Sequence, residues 1–276
     1  MTRRPAVAAL AAVVLAACQK EPVASAASVE VRAHLDHAEW SRLLHAYVDE
    51  RGRVDYAGWK ASREARDRLD AYLRRLAEAP APAAGGEDRA ASLINAYNAL
   101  TVSWILAHYP TASIRALPDS FTAARHALGG RRVSLDQIEH EALRPQVGYR
   151  VHAALVCAAR SCPPLAREAF AAPALERQLD AAMERWLARE DLNRFDAAAG
   201  RAQVSSIFRW FAEDFAKAGG LARVLERHGP PPARALAKRK DLQVEYLDYD
   251  WALNDQRPAA SYGRLRLFWD RVRGLI

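Results

Sequence analysis

One long apolar helix constrains the fold of this chain more than any other feature of its sequence. Residues 88–108 are predicted to form it, and Tyr109-Pro110 ends it. Its mostly apolar positions surround the helix rather than forming a single face: Leu93, Ile94, Tyr97, Leu100, Thr101, Trp104 and Ile105. A helix that is apolar on most sides must be covered by other elements, so we expect it at the centre of the domain.

Two asparagines, Asn95 and Asn98, interrupt this apolar helix. Asparagine is a poor helix former, and a buried amide has to find hydrogen-bond partners. Two interpretations are open. The amides hold neighbouring loops in place, or they take part in an active site, where an amide N–H stabilises an oxyanion.

Further helices and a few short strands are predicted around this central element. Amphipathic spacing predicts helices over residues 37–48, 64–77, 174–189 and 221–228, and another that begins at Ser205 or Ser206. A short helix over 137–143 is capped by Ser134 or Asp136. The alternating segment 244–253 is typical of an edge strand. We therefore expect an α+β fold, a mostly helical single domain over residues 37–276 with a small sheet.

The N-terminus has the pattern of an export signal. Arg3-Arg4 precede an apolar run over residues 6–17, which is too short to span a membrane. Leu15-Ala16-Ala17-Cys18 resembles a bacterial lipobox, in which the peptide is cut before a cysteine that then carries lipid. We expect residues 1–17 to be a lipoprotein signal peptide and 18–36 a tether. The alternative is plain secretion after an A-x-A-like site.

Charge and compartment limit the partners. Loss of Arg3 and Arg4 lowers the formal charge from +7 to +5, and no basic stripe with interleaved aromatic residues is present, so nucleic acid is not an expected partner. The expected partner is the membrane, through lipid on Cys18, and Gln19 favours the outer membrane facing the periplasm. His140, His152 and the cysteines lack a compact metal-ligand spacing, so no metal or other cofactor is expected.

The most reactive segment is R-V-H-A-A-L-V-C-A-A-R-S-C-P-P-L, residues 150–165. Residues 151–159 are predicted to form a buried strand, and Ser161-Cys162-Pro163-Pro164 to begin a helix. A helix N-terminus would lower the thiol pKa of Cys162. In a regular strand His152 and Cys157 would point to opposite faces, which favours Cys162 as the reactive thiol. Core packing of either thiol and a Cys157–Cys162 disulfide are competing interpretations.

Two classes of function follow from this segment. In the first, a cysteine-dependent hydrolase or acyltransferase uses Cys162 as nucleophile, His152 or His140 as base, and Glu139 to orient the imidazole. Adjacent residues lie about 100° apart on an α-helix, so at most one of Glu139 and His140 is expected to face the site. In the second, a binding or assembly module has a Cys157–Cys162 disulfide that braces a loop.

Five motifs in order resemble one family, domain-of-unknown-function family 547: L-I-N-A-Y-N-A-L-T-V (93–102), V-S-L-D-Q-I-E-H-E-A-L-R (133–144), residues 150–165, S-S-I-F-R-W-F-A-E-D-F (205–215) and Y-L-D-Y-D-W-A-L-N-D (246–255). The resemblance covers about residues 38–255 and is to the bacterial, lipoprotein-type branch. The motif residues it implies are Asn95, Asn98, Glu139, His140, Arg144, His152, Cys157 and Cys162. Of these, Asn95, Asn98 and Arg144 are expected to contact the substrate or its oxyanion. Ala158 stands where glycine is usual.

The family implies no assigned activity. A loose analogy to papain-like and transglutaminase-like cysteine enzymes rests on the cysteine and histidine content alone. A peptide or another envelope component is the ligand best suited to a cysteine nucleophile, and we expect peptide or isopeptide chemistry on that ground.

Overall fold

The computed structural model describes residues 29–257. Its α-helices are α1 (Ala38–Tyr47), α2 (Tyr56–Ala61), α3 (Arg63–Ala77), α4 (Gly86–His108), α5 (Arg144–Val147), α6 (Val151–Ala154), α7 (Leu175–Leu187), α8 (Ile207–Trp210), α9 (Ala212–Lys217), α10 (Gly220–His228) and α11 (Pro231–Ala237). A π-helix covers Gln137–Leu143. The strands are β1 (His126–Leu128), β2 (Arg131–Val133), β3 (Arg194–Asp196), β4 (Arg201–Ser205) and β5 (Gln243–Leu247). The predicted mostly helical α+β fold is confirmed.

Helix α4 is the central element, as its apolar circumference predicts. Every side chain from Ala90 to Val102 is buried. By length and composition α4 is the one helix among residues 29–257 that could cross a membrane, but 83% of its most apolar window is buried inside the protein. That burial is typical of a core helix, so α4 organises the first hydrophobic core.

The first core also includes residues that were assigned to the tether. Helix α3 packs against α4, and α1 packs against α3, with Trp40 stacked on Tyr72 at 5.9 Å between ring centroids. Val29 and Val31 are 2% and 0% exposed and belong to the same core. Residues 29–36 therefore pack with the domain, because the two apolar side chains are more stable inside it than in water. Residues 1–28, which include the predicted signal peptide and Cys18, lie outside the described residues.

Two small sheets complete the fold. Strands β1 and β2 form an antiparallel hairpin whose turn has Gly129 and Gly130 at φ 56° and 75°. In the second sheet β4 pairs antiparallel with β3 and parallel with β5, so β5 is the expected edge strand. A second core forms beside this sheet, where Trp186 stacks on Phe208 at 4.8 Å.

Three local predictions differ from the structure. Residues 151–159 do not form a strand: α6 covers Val151–Ala154 and irregular chain follows. The helix predicted from Ser205 or Ser206 is divided into α8 and α9 at Phe211, which has φ −111° and ψ 33°. The expected strand 244–253 ends at Leu247. The segment 268–276 lies outside the described residues.

Candidate functional site

A π-helix forms one wall of the candidate site. Of the two predicted caps, Ser134 and Asp136, it is Ser134 that caps this helix. The Gln137 N–H donates to Ser134 Oγ (3.0 Å), and the Ser134 N–H donates to Gln137 Oε1 (3.1 Å). These reciprocal bonds are a capping box. A π-helix turns less per residue than an α-helix, because its hydrogen bonds close at i→i+5. Glu139 and His140, which are adjacent in this π-helix, both line one cavity, and the expectation that at most one would face a site is wrong.

The cavity has a volume of about 170 Å³ and contains most of the predicted reactive groups. It lies between the π-helix, α6, α8 and the loop that carries both cysteines. Its polar lining consists of Tyr97, Glu139, His140, His152 and Tyr249, together with the sulfurs of Cys157 and Cys162. Two histidines, one carboxyl group and two cysteines thus line one cavity.

His152 is held by an aspartate that is not among the predicted site residues. The His152 Nε2 lies 2.8 Å from Asp214 Oδ2, and the Arg144 Nε–H donates to the same oxygen at 2.7 Å. The imidazole stacks on Phe211 at 4.0 Å. Asp214 lies 62 residues after His152, so only the tertiary fold joins them. One signal was present: Asp214 stands between Phe211 and Phe215, as a charge on an otherwise apolar helical face.

The electrostatics of this pair favour a neutral imidazole beside a carboxylate. Burial lowers the pKa of His152 to about 4, although the hydrogen bond and charge of Asp214 oppose the shift. Burial works to raise the pKa of Asp214, but hydrogen bonds from Arg144 and His152 outweigh it and lower that pKa to about 2. The neutral ring donates its Nε2–H to Asp214, which leaves Nδ1 free to accept a proton.

Glu139 and His140 occupy different depths of the cavity. Glu139 is hydrogen-bonded to Tyr97, and burial raises the pKa of its carboxyl group. The His140 side chain is 39% exposed, with Nδ1 3.9 Å from Glu139 Oε1 and 3.3 Å from an Arg144 terminal nitrogen. His152 is therefore the enclosed imidazole with a carboxylate partner, and His140 lies nearer the solvent.

Cys157 and Cys162 form a disulfide, with Cα atoms 6.2 Å apart. This pairing is one of the interpretations that the sequence left open. The chain after Cys162 is irregular from Pro163 to Ala171, so the prediction of a helix N-terminus at Cys162 is wrong. Pro163-Pro164 lies in irregular chain instead. Proline disfavours the helical conformation in the residue before it, which works against a helix that starts at Cys162.

Other groups donate to the sulfurs. The Cys157 N–H donates to Cys162 Sγ at 2.9 Å, and the Tyr249 hydroxyl donates to the same sulfur at 3.3 Å. Tyr249 Oη also lies 3.2 Å from Cys157 Sγ. Ala158, between the cysteines, has φ 58°, a left-handed conformation that glycine adopts more readily. The loop therefore makes a tight left-handed turn at Ala158, which agrees with the glycine that the resemblance implies for this position.

The side-chain amides of Asn95 and Asn98 hold two neighbouring backbone segments in place. Asn95 Nδ2 donates to Phe170 O and its Oδ1 accepts from the Phe170 N–H, both at 2.8 Å. Asn98 Nδ2 donates to Ala154 O and its Oδ1 accepts from the Val156 N–H, both at 2.9 Å. Neither residue lines the cavity. The geometry supports the loop-holding interpretation, and Asn98 fixes the chain between His152 and Cys157.

Within residues 29–257, no group of three or more His, Cys, Asp or Glu side chains is arranged to hold a metal ion.

The fold and site together define an α+β domain in which a histidine–aspartate pair and two cysteines meet in one aromatic cavity. Residues 83–187 match the model of the family DUF547, described as a protein of unknown function. That match includes every implied motif residue from Asn95 to Cys162 and supports the resemblance over this segment.

Asp214 and Tyr249 lie beyond the matched segment. Searches of curated proteins and of solved structures gave no match.

Proposed function

We propose that this chain is a lipid-anchored protein of the bacterial cell envelope with a thiol-dependent hydrolase or acyltransferase site. One observation carries the proposal: the His152–Asp214 pair opens into the same cavity as the two sulfurs. A nucleophile, a base and a carboxylate that orients the base are the groups that acyl transfer requires.

Cys162 is the nucleophile in this proposal. Its sulfur accepts hydrogen bonds from the Cys157 N–H and the Tyr249 hydroxyl. Both donors would stabilise a thiolate at Cys162 and so lower its pKa. They take the place of the helix N-terminus, which the sequence predicts at Cys162 and the structure does not have. Burial raises the pKa of Tyr249, so its hydroxyl keeps the proton that it donates. Cys157 is the disulfide partner of Cys162, and reduction of the bond between them frees the Cys162 thiol.

The disulfide is the inactive form. A dithiol reductant supplies two electrons and two protons, becomes a disulfide itself, and leaves free thiols at Cys157 and Cys162. The Cys162 thiol then gives its proton to His152 Nδ1, and the thiolate attacks the substrate carbonyl carbon. The leaving group departs with that proton, and water or a second nucleophile cleaves the resulting thioester. The Tyr249 hydroxyl, close to the reacting sulfur, donates to the developing oxyanion.

Alkylation of the mature protein with iodoacetamide tests this proposal. Adducts are counted by intact mass at pH 6 and pH 8, before and after dithiothreitol. We expect no adduct before reduction and one rapid adduct at pH 6 afterwards, lost in Cys162→Ser and kept in the matched variant Cys157→Ser. Equal, slow labelling of both thiols at pH 6 would refute the assignment of Cys162.

The disulfide itself favours a second candidate, a binding or assembly module braced by Cys157–Cys162. A bond that resists dithiothreitol until denaturant is added supports this candidate and removes the thiol mechanism.

The lipid anchor is tested separately. Labelled palmitate should be incorporated into the full chain and lost in Cys18→Ala, and the labelled protein should fractionate with the outer membrane. Incorporation that persists in Cys18→Ala contradicts the anchor.

A further inference from the structure

The cavity beside the sulfurs has mainly apolar walls. Leu155, Pro163, Ile207, Phe211 and Trp251 face it along with the polar groups. Its volume is about 170 Å³. An apolar protein cavity of about 150 Å³ takes up benzene. The space therefore matches one phenyl ring or one branched aliphatic group.

Two of the titratable groups that face the cavity are hydrogen-bonded to partners within the protein. His152 is bonded to Asp214, and Glu139 to Tyr97. The nearby cation, Arg144, is held by Asp214 and does not line the cavity. A carboxylate in this space would lie beside Glu139 and would find no arginine or lysine among the lining residues.

An ammonium group fits no better. Burial lowers the pKa of His152 and raises that of Glu139, so both lining groups tend towards their uncharged forms. A charged ligand group would lose its hydration without gaining an opposite charge, which is unfavourable. An uncharged apolar group loses little hydration free energy and gains the contacts of the walls.

Three aromatic rings continue these walls at the mouth of the cavity. Tyr249 contacts both Trp210 and Trp251 at 4.7 Å between centroids, and the two tryptophans lie 6.0 Å apart. Trp210 is 46% exposed. All three rings also line the cavity, so a ligand longer than the cavity would lie against them on leaving it.

We propose that this cavity binds the acyl group of the substrate, and that this group is uncharged and apolar, the size of a phenyl ring or a branched aliphatic chain. Any continuation of the chain lies on Trp210, Tyr249 and Trp251. The term acyl rests on the proposed function, whereas the binding of an uncharged apolar group does not.

Three probes of equal shape and different charge test the ligand class: benzamide, benzoate and benzamidine. They are titrated into the oxidised protein, which has no reactive thiol at the site, and binding is followed by tryptophan fluorescence and saturation-transfer NMR. We expect benzamide to bind with a Kd about tenfold lower than either charged probe. Equal or tighter binding of benzoate or benzamidine would overturn the proposal.

A matched pair of variants locates the probe. Leu155→Phe fills the cavity, and Leu192→Phe makes the same change at an equally buried leucine of the second core. We expect benzamide binding to be lost in the first and kept in the second. If Leu155→Phe does not fold, as judged by circular dichroism, Ile207→Phe fills the cavity from another wall. Binding that survives in the folded cavity-filled variant places the probe elsewhere and overturns the proposal.

A comparison of a short and a long probe tests whether the aromatic mouth contacts the ligand. Trp210→Ala should weaken binding of 4-phenylbenzamide several-fold more than binding of benzamide, because the longer probe makes more contact with Trp210 at the mouth. An equal effect on both probes would remove the mouth from the proposal.

An esterase assay distinguishes failure of the proposed catalytic function from failure of the proposed ligand class. The reduced protein is assayed with p-nitrophenyl hexanoate and with the mono-p-nitrophenyl ester of succinate. Benzamide binding without turnover of either ester overturns the proposed function and leaves the ligand class standing. Turnover of the succinate ester at an equal or higher kcat/KM supports a thiol enzyme and overturns the uncharged acyl group.

Discussion

Helix α4 and the cavity wall both place polar side chains in apolar surroundings, but they use them differently. Asn95 and Asn98 bond to backbone N–H and C=O groups, so each amide provides one donor and one acceptor to a fixed loop. His152 bonds to another titratable side chain, Asp214, and keeps one ring nitrogen free. A polar group whose partners are backbone fixes structure, whereas one that keeps an unused proton acceptor beside a cavity is available for chemistry.

Substitution of either asparagine should therefore lower the stability of the fold, and we expect this effect to be larger than those of the other substitutions below. Asn95→Leu and Asn98→Leu each leave a buried N–H and C=O unpaired, which costs about 2–5 kcal/mol of unfolding free energy. Urea denaturation followed by circular dichroism measures it. Thr101→Val on the same helix is the control, because the Thr101 hydroxyl bonds only to Tyr97 O within α4. A loss in the Asn variants no larger than that in Thr101→Val would contradict the prediction.

Much of the fold could be predicted from periodicity. The bounds of α4 and α3 differ from the prediction by two residues or fewer, because long periodic segments are distinctive. Residues 137–143 were bounded correctly by the capping pattern, although the π geometry was not expected. The strand at 151–159 was wrong because a short apolar run does not distinguish a strand from a buried helix.

The candidate site was predictable only in part. Glu139, His140, His152 and both cysteines do line one cavity. Asp214 and Tyr249 come from α9 and from the chain after β5, far along the sequence, and reach the site only through tertiary packing. The role of Asn98 could not be assigned in advance, since its partners are backbone groups whose positions depend on the fold.

Acidification should affect the two regions differently. The pKa of His152 falls from 6.5 to about 4 on folding. The unfolded chain therefore binds more protons between these values, and stability falls as pH drops through this window. One pKa unit corresponds to about 1.4 kcal/mol, so the contribution of His152 reaches about 3 kcal/mol near pH 4.

His37, His126 and His228 also have pKa values that burial lowers to about 4, and they add to the slope. Unfolding free energy from urea curves at pH 7, 5.5 and 4.5 should therefore fall less steeply with acid in His152→Gln than in the wild type. Asn98→Leu should be less stable at every pH with an unchanged slope. An unchanged slope in His152→Gln would show that its protonation is not linked to unfolding.

Asp214 should affect reaction rate more than stability. Asp214→Asn removes the carboxylate that orients His152 and stabilises its protonated form, so acylation of the reduced protein by p-nitrophenyl hexanoate should slow about 10- to 100-fold. Stopped-flow release of p-nitrophenolate measures this rate. Asp180→Asn is the matched control, because Asp180 pairs with Arg150 and Arg227 away from the cavity. Equal rates in the two variants would remove Asp214 from the reaction.

The smallest expected effect is that of the Tyr249 hydroxyl. Its hydrogen bond to Cys162 Sγ stabilises the thiolate, and a hydrogen bond contributes about 1 kcal/mol. Tyr249→Phe should therefore raise the pH midpoint of Cys162 alkylation by roughly half to one unit. The midpoint is measured with iodoacetamide in a Cys157→Ser background, and the exposed Tyr246→Phe is the control.

The direction of this change distinguishes two roles for the hydroxyl. A raised midpoint means that Tyr249 acts on the thiolate before substrate binds. An unchanged midpoint with slower acylation means that it acts only on the oxyanion, because that charge exists only after attack. If neither quantity changes, Tyr249 belongs with Asn95 and Asn98, as a polar group that holds the structure around the site.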